Sequence, residues 1–151
     1  MTSTVKASTL KVTIKEDIYL KGKNQGATTE LSISDINEVA ARIVTAPTSE
    51  VTIISFGTAV AAGTYVESNV RYIRITNLDD TNYVTLNIEG DSSTDFSVRL
   101  DPGASHLIVS SKTTGVVDYA DISGATLEDL TGVKATANTA ACDLELFVAS
   151  A

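Results

Sequence analysis

Apolar and polar residues alternate along short stretches of this chain, and turn-forming residues separate the stretches. The pattern is clear in LKVTIK (residues 10–15) and in DLELFV (residues 143–148). A period of two residues places alternate side chains on opposite faces of a strand, whereas a helix needs a period of about 3.6. Because the alternation recurs along most of the chain, it predicts strands that have one face in a core and one in solvent.

The number and spacing of the stretches predict the fold class. We expect an all-β fold, an antiparallel β-sandwich of about nine or ten strands, with a jelly roll among its possible arrangements. The abundance of Val and Thr agrees with this fold, because β-branched side chains pack well on a pleated sheet.

Glycine and proline mark the turns between the expected strands. Gly22 and Gly26 lie between two alternating stretches, so we expect a hairpin in which both glycines adopt positive φ. The run from Asp101 through Pro102 to Gly103 predicts a type II turn, because proline presets φ at the second position and glycine accepts the positive φ of the third.

Three further segments are assigned from their local pattern. Residues 70–76 are expected to pair with residues 83–88 across the polar loop between them. Residues 35–44 fit both an amphipathic helix after a capping box and an alternating strand, and we favour the strand. Leu127 and Leu130 fit one helical turn that ends near Gly132.

Length and charge limit the kinds of protein that this chain can be. The 151 residues suit one domain, so we expect a single sandwich over residues 10–151 after a flexible N-terminal arm of residues 1–9. The formal net charge of −8 disfavours nucleic acid and anionic membrane as partners. Neither a signal peptide nor an apolar run of about 18 residues occurs, so we expect synthesis in a cytoplasm and no membrane partner.

Few residues could perform catalysis. The single histidine, His106, follows Ser105 on an expected strand, and neighbouring strand side chains point to opposite faces, so these two cannot form a nucleophile–base pair. Cys142 is the only cysteine and has no histidine near it in the sequence. Nucleotide-binding glycine motifs are absent. We therefore expect no enzyme activity and no cofactor.

Two acidic loops contain the best candidates for a bound cation. Asp79 and Asp80 lie in one loop, and Asp91 and Asp95 lie in the next. Their carboxylates are hard oxygen ligands of the kind that calcium prefers, but their spacing does not match the twelve-residue calcium loop. Asp side chains in turns more often accept hydrogen bonds from their own backbone, and we favour that role.

Three tyrosines are the candidate interface residues. Tyr65, Tyr72 and Tyr83 combine a large apolar ring with a polar hydroxyl, a pairing that is common in protein interfaces. The alternative is that they cover the edges of the core.

The second half of the chain resembles a known group of proteins. Three segments carry the resemblance: VRYIRITNLDDTNYVTLNI, DFSVRLDPGASHLIV and LEDLTGVKATANTAACDLELFVA. From Val70 to Val148 they resemble small structural proteins of marine tailed phages, including cyanophages. The shared pattern is a strand that ends in Asn, a polar turn, a V-x-L-x-I strand, a Pro-Gly turn and an alternating final strand.

This resemblance implies a β-sandwich that sits on a virion without catalysis. The expected function is capsid decoration (cement), in which the protein stabilises the head by binding the assembled shell, as a homo-oligomer with a trimer favoured. The major capsid protein or another virion protein would be its partner. Two alternatives stay open: a neck or tail adaptor or fibre component, and a carbohydrate- or receptor-binding module.

Overall fold

The described part of the chain consists mainly of β-strands. A computed structural model describes residues 4–91, 95–109, 119–120 and 127–151. The strands before residue 67 are β1 (Ser8–Lys15), β2 (Tyr19–Leu20), β3 (Lys23–Asn24), β4 (Thr28–Ile36), β5 (Glu38–Ala46), β6 (Val51–Gly57) and β7 (Thr64–Val66). A 3₁₀ turn at Glu67–Asn69 precedes β8 (Val70–Asn77), β9 (Val84–Gly90), β10 (Asp95–Leu100), β11 (Ser105–Ile108), β12 (Tyr119–Ala120), β13 (Leu127–Glu128), β14 (Leu130–Ala137) and β15 (Cys142–Ser150).

Two sheets pack face to face as a β-sandwich. One has the strand order β10-β9-β14-β6-β7, and the other has the order β11-β8-β15-β5. Neighbouring strands are antiparallel except β6 and β7, which pair in parallel. The prediction of an all-β sandwich is therefore confirmed, with one parallel edge added.

The order of the strands within the sheets is that of a jelly roll. Of the described strands, β5, β6, β8, β9, β10, β11, β14 and β15 can be numbered one to eight along the chain. The four-stranded sheet then reads 1-8-3-6, and the matching part of the other sheet reads 2-7-4-5. This interleaving of early and late strands is the double Greek key of a jelly roll.

The expected pairing of residues 70–76 with residues 83–88 is wrong. These segments form β8 and β9, which lie in opposite sheets: β8 pairs with β11 and β15, and β9 pairs with β10 and β14. The loop between them crosses from one sheet to the other. As a result, the apolar faces of β8 and β9 both point into the core, instead of lying side by side in one sheet.

The main core lies between the two sheets and consists of aliphatic side chains from both. Its largest fully buried members are Ile54, Ile73, Ile75, Leu86, Ile88, Leu144 and Leu146. Burial of such side chains contributes about 1.5–3 kcal/mol each and is the main stabilising term of the sandwich. Among the described residues, none forms a helix long and apolar enough to cross a membrane.

Strands β1 to β4 form an N-terminal hairpin (Ser8–Ile36) that lies on the outer face of the four-stranded sheet. Its apolar face, with Ile33 and Ile36 buried, packs against Tyr72, Phe147 and Ala149 of that sheet. β1 begins at Ser8, and residues 4–7 before it are exposed. The hairpin adds a third layer to one end of the sandwich.

The local predictions have mixed outcomes. Residues 35–44 are mostly strand, as favoured, and Gly22 and Gly103 have the expected positive φ of 77° and 74°. Gly26 does not adopt positive φ. The helical turn at residues 127–130 is wrong, because Leu130 is buried opposite Gly90 as the first residue of β14.

Candidate interaction surfaces

The N-terminal hairpin ends in a short second ladder, the hairpin tip (residues 14–24). In it β2 pairs with β3, so that Leu20 lies opposite Lys23. The two residues that connect these strands, Lys21 and Gly22, have φ values of 52° and 77°. Positive φ at both positions is the mark of a type I′ turn, whose twist matches that of hairpin strands. The sequence therefore fixes a tight and defined end to the hairpin.

Two residues behind the turn fix the position of the tip on the hairpin. The Asn24 side-chain oxygen accepts hydrogen bonds from the backbone N–H groups of Ile18 (3.3 Å) and Gly26 (2.9 Å). Its amide nitrogen donates to the Asp17 carboxylate at 3.1 Å. A Cβ atom on Gly26 would lie 1.7 Å from the carbonyl oxygen of Glu16, so only glycine fits there. Specific contacts, rather than burial, thus hold the tip in place.

The tip exposes consecutive apolar side chains to solvent. The exposed fractions are 49% for Ile18, 71% for Tyr19 and 55% for Leu20. Tyr19 and Leu20 are neighbours in β2 and point to opposite faces, so the tip exposes apolar side chains on both of its faces. Single exposed apolar residues are ordinary, but three in succession at a defined turn favour a contact surface. This surface was not predicted from the sequence, although IYL between the charged residues Asp17 and Lys21 was its signal.

Charge is unevenly distributed between the first 24 residues and the rest of the chain. Residues 1–24 contain five lysines and two acidic residues, whereas residues 25–151 contain six basic and seventeen acidic residues. Lys15, Lys21 and Lys23 are exposed at the hairpin tip. The tip also contains Glu16 and Asp17, so it is an apolar element with a small positive net charge, in contrast to the acidic rest of the chain.

The N-terminal hairpin covers one end of the outer face of the four-stranded sheet. At the other end of this face lies a surface that we call the acidic patch (Ile43, Leu78, Asp79, Asp80, Asp143). Ile43 and Leu78 are 63% and 46% exposed. The backbone N–H of Leu78 donates to the carbonyl oxygen of Asp143 at 2.9 Å, which joins the loop after β8 to β15. Two exposed apolar side chains thus lie among three carboxylates.

Two of the calcium candidates, Asp79 and Asp80, lie in this patch and bond to their own loop. The Asp79 carboxylate accepts the backbone N–H groups of Asn82 and Thr81, and these bonds hold the pKa of Asp79 below its ordinary value. Asp80 accepts the Thr81 hydroxyl at 2.8 Å. Asp79 thus has the turn-capping role that was favoured from the sequence, whereas Asp80 bonds a neighbouring side chain.

The other two candidates, Asp91 and Asp95, lie at the end of β9 and the start of β10. The backbone N–H of Asp91 donates to the carbonyl oxygen of Asp129 at 3.1 Å. Within the described ranges, no three His, Cys, Asp or Glu side chains gather closely enough to hold a metal ion.

A buried asparagine positions the loop that forms the patch. Asn77 is fully buried, and its side-chain nitrogen donates to the carbonyl oxygens of Asn82 (2.9 Å) and Leu100 (3.1 Å). Its side-chain oxygen accepts the backbone N–H of Asp79 at 3.0 Å. One side chain thus connects the loop after β8 with the end of β10.

The three candidate interface tyrosines have three different environments. Tyr72 is 5% exposed beneath the N-terminal hairpin and meets the Phe147 ring edge-to-face, with 5.9 Å between centroids. Tyr83 is half-buried, and the Arg99 guanidinium lies 3.8 Å from its ring centroid. Tyr65 lines a cleft of about 340 Å³ between the edge strands β5 and β7. Tyr65 also packs against the edge of the core, and of the three tyrosines it is the one that lines this cleft.

His106 and Cys142 are held in structural settings. His106 lies opposite Ile75 in the sheet, and burial lowers its pKa below the ordinary value of histidine. The Ser105 hydroxyl is 2.7 Å from the hydroxyl of Thr76, so its partner is not His106. Burial raises the pKa of the Cys142 thiol, which makes the thiolate less available at neutral pH.

Comparison with known proteins assigns no residue a role. The chain matches no family model, no curated protein and no solved structure. Functional residues are therefore inferred from exposure, charge and contacts in the described part of the chain. By those criteria the hairpin tip and the acidic patch are the strongest candidates.

Proposed function

We propose that this protein is a structural component of a phage virion and that it decorates the head. The observation that carries the proposal is the N-terminal hairpin, which presents Ile18, Tyr19 and Leu20 to solvent on a defined turn. The resemblance of residues 70–148 to structural proteins of marine tailed phages supplies the setting. A protein of this kind acts by contact, without catalysis.

A jelly-roll body with a projecting hairpin suits the cementing of a shell. The two packed sheets provide a rigid platform, and the hairpin extends contacts beyond it. A protein that binds only the assembled shell stabilises that shell by mass action. The acidic body favours the outer surface of a head, because packaged DNA inside would repel it. The partner in this proposal is the major capsid protein, and the decorating unit is a homo-oligomer, with a trimer favoured.

Immunogold electron microscopy of virions tests the proposal. An antiserum against the purified protein is applied to intact virions of the phage whose genome encodes the chain, with preimmune serum as the control. Gold particles over heads are the expected result. Label confined to the neck, tail or fibres would replace decoration with the adaptor alternative, and virions without label would overturn a virion role.

The cleft beside Tyr65 favours a second candidate, a carbohydrate- or receptor-binding module. Tyr65 supplies a ring for stacking, and Glu38, Arg42 and Asn69 supply polar groups around it. A glycan array measures this directly. Saturable binding that Tyr65→Ala abolishes and Tyr83→Ala retains would establish the module; an array without binding would remove its carbohydrate form.

A further inference from the structure

We propose that the hairpin tip of one copy of this chain docks onto the acidic patch of a second copy. The proposal concerns the purified protein itself and does not depend on a virion role. It rests on two exposed surfaces of one chain that match each other in both charge and apolar character.

The charges of the two surfaces are complementary. The tip has three exposed lysines, of which Lys15 pairs with Asp17 of the same tip at 3.1 Å, so Lys21 and Lys23 are the cations that would face the three carboxylates of the patch. Most of the body is also acidic, so a tip with a positive net charge is attracted to it from a distance. Such rim charges select the partner and its orientation and speed the encounter of the two copies.

The apolar centres of the two surfaces also match. The tip exposes Leu20 on the face that it shares with Lys23 and Tyr19 on the other face, and the patch has Ile43 and Leu78 within a shallow depression. Desolvated apolar contacts inside a ring of charges are the usual arrangement of an energetically important contact. Charged side chains flank the apolar ones in each surface, and docking would place Lys21 and Lys23 of the tip near the carboxylates of the patch.

The matching surfaces must meet between copies rather than within one. In the single chain Tyr19 of the tip is 71% exposed and Ile43 of the patch is 63% exposed, so the two surfaces are not in contact there. A contact between two different surfaces of identical chains is head-to-tail, and it generates a closed ring or an open chain. The Asn24 and Gly26 contacts fix the tip in advance, which lowers the entropic cost of docking.

Sedimentation velocity over a concentration series tests the docking. We expect the full chain to associate and the association to weaken as salt is raised, because the rim charges are screened. The tip variant, Lys15→Glu with Lys23→Glu, should associate at least about tenfold more weakly, and so should the patch variant, Asp80→Lys with Asp143→Lys. Lys21 is left unchanged because of its positive φ.

Combining the four substitutions in one chain is the decisive step. The reversed tip then faces a reversed patch, and association should return. The matched control is Lys6→Glu with Lys11→Glu, which makes the same change in net charge at exposed positions outside the tip and should retain association. Circular dichroism and thermal unfolding confirm that each variant is folded.

An apolar substitution gives a second measurement that needs no charge change. Leu20→Ser should weaken association, whereas Val60→Ser, at a residue 90% exposed on another surface, should not. A chain that stays monomeric at millimolar concentration would overturn the proposal. So would a tip variant that associates like the unmodified chain, or a four-substitution chain that fails to regain association.

Discussion

At the scale of single residues, buried polar groups determine how the loops of this protein are held. Asn77 is fully buried, and its side-chain oxygen and nitrogen bond to backbone groups of the loop after β8 and of the end of β10. Glu67 beside β8 has the opposite character, because partial burial and the carboxylates of Asp129 and Asp91 raise its pKa. One residue therefore stabilises the fold at neutral pH, and the other opposes it.

Replacing Asn77 by Ala should lower the free energy of unfolding by about 2–3 kcal/mol. The change leaves the carbonyl oxygens of Asn82 and Leu100 without their amide donor, and unsatisfied buried polar groups are costly. Urea unfolding followed by circular dichroism measures the loss. Asn138→Ala, at an exposed position, is the control and should change stability by less than about 0.5 kcal/mol. Equal losses in both variants would contradict this role of Asn77.

Replacing Glu67 by Gln should stabilise the protein at neutral pH. The raised pKa means that the folded state keeps its proton to a higher pH than the unfolded state, so Glu67 lowers stability as pH rises through the folded value. The gain should be below about 1 kcal/mol at pH 7, because the group is largely solvated, and should vanish near pH 3.

Unfolding temperatures of the Glu67→Gln variant across this pH range provide the measurement. Glu16→Gln, which removes one negative charge at an exposed position, is the control for net charge. A gain that persists at low pH would show that Glu67 acts through something other than its ionisation.

At the scale of elements, the N-terminal hairpin is held at its base by burial and at its tip by close contacts. Ile33 and Ile36 anchor it on the sheet over Tyr72, whereas the tip buries little apolar surface. A two-stranded ladder on its own is marginally stable in water. The order of the tip therefore depends on the turn, on Asn24 and on Gly26.

Replacing Gly26 by Ala should increase the mobility of the tip and leave the sandwich folded. The added methyl group would collide with the backbone of Glu16, so the chain must move apart there. Amide hydrogen exchange should become faster across residues 16–27, with the main unfolding transition nearly unchanged. Gly22→Asn is the control, since asparagine accepts positive φ and the site is open. Unchanged exchange in the Gly26 variant would contradict the assigned role.

At the scale of the whole molecule, salt should weaken the association of copies through the hairpin tip but raise the stability of the acidic body. The net charge of −8 makes the folded chain repel itself, and salt screens that repulsion. The unfolding temperature of a dilute sample should therefore rise between low salt and about 0.3 M NaCl. Differential scanning calorimetry measures it, and a fall over this range would show that attractive pairs outweigh the net repulsion.

Local sequence pattern predicts part of the fold and part of the candidate surfaces. Alternation identified β1 and β15 as strands and favoured a strand over a helix for β5, and the turn at Gly103 followed from its own residues. The capping role of Asp79 was also readable, because Asp in a turn bonds to nearby backbone. The tip was missed because its exposure depends on where β1 and β4 lie, which no local pattern specifies.

The sequence by itself determined that the chain is all-β, because side-chain alternation is a property of each strand alone. Only the tertiary structure decided which strands pair. Stretches of equal apolar character can pair in many orders, and local pattern does not choose among them. In the structure β8 lies beside β15 rather than β9. The tertiary structure also decided that Val39 and Ile43 face outward while Ala46 is buried. The acidic patch and the projecting tip exist because of those long-range choices, since each depends on which face the rest of the molecule covers.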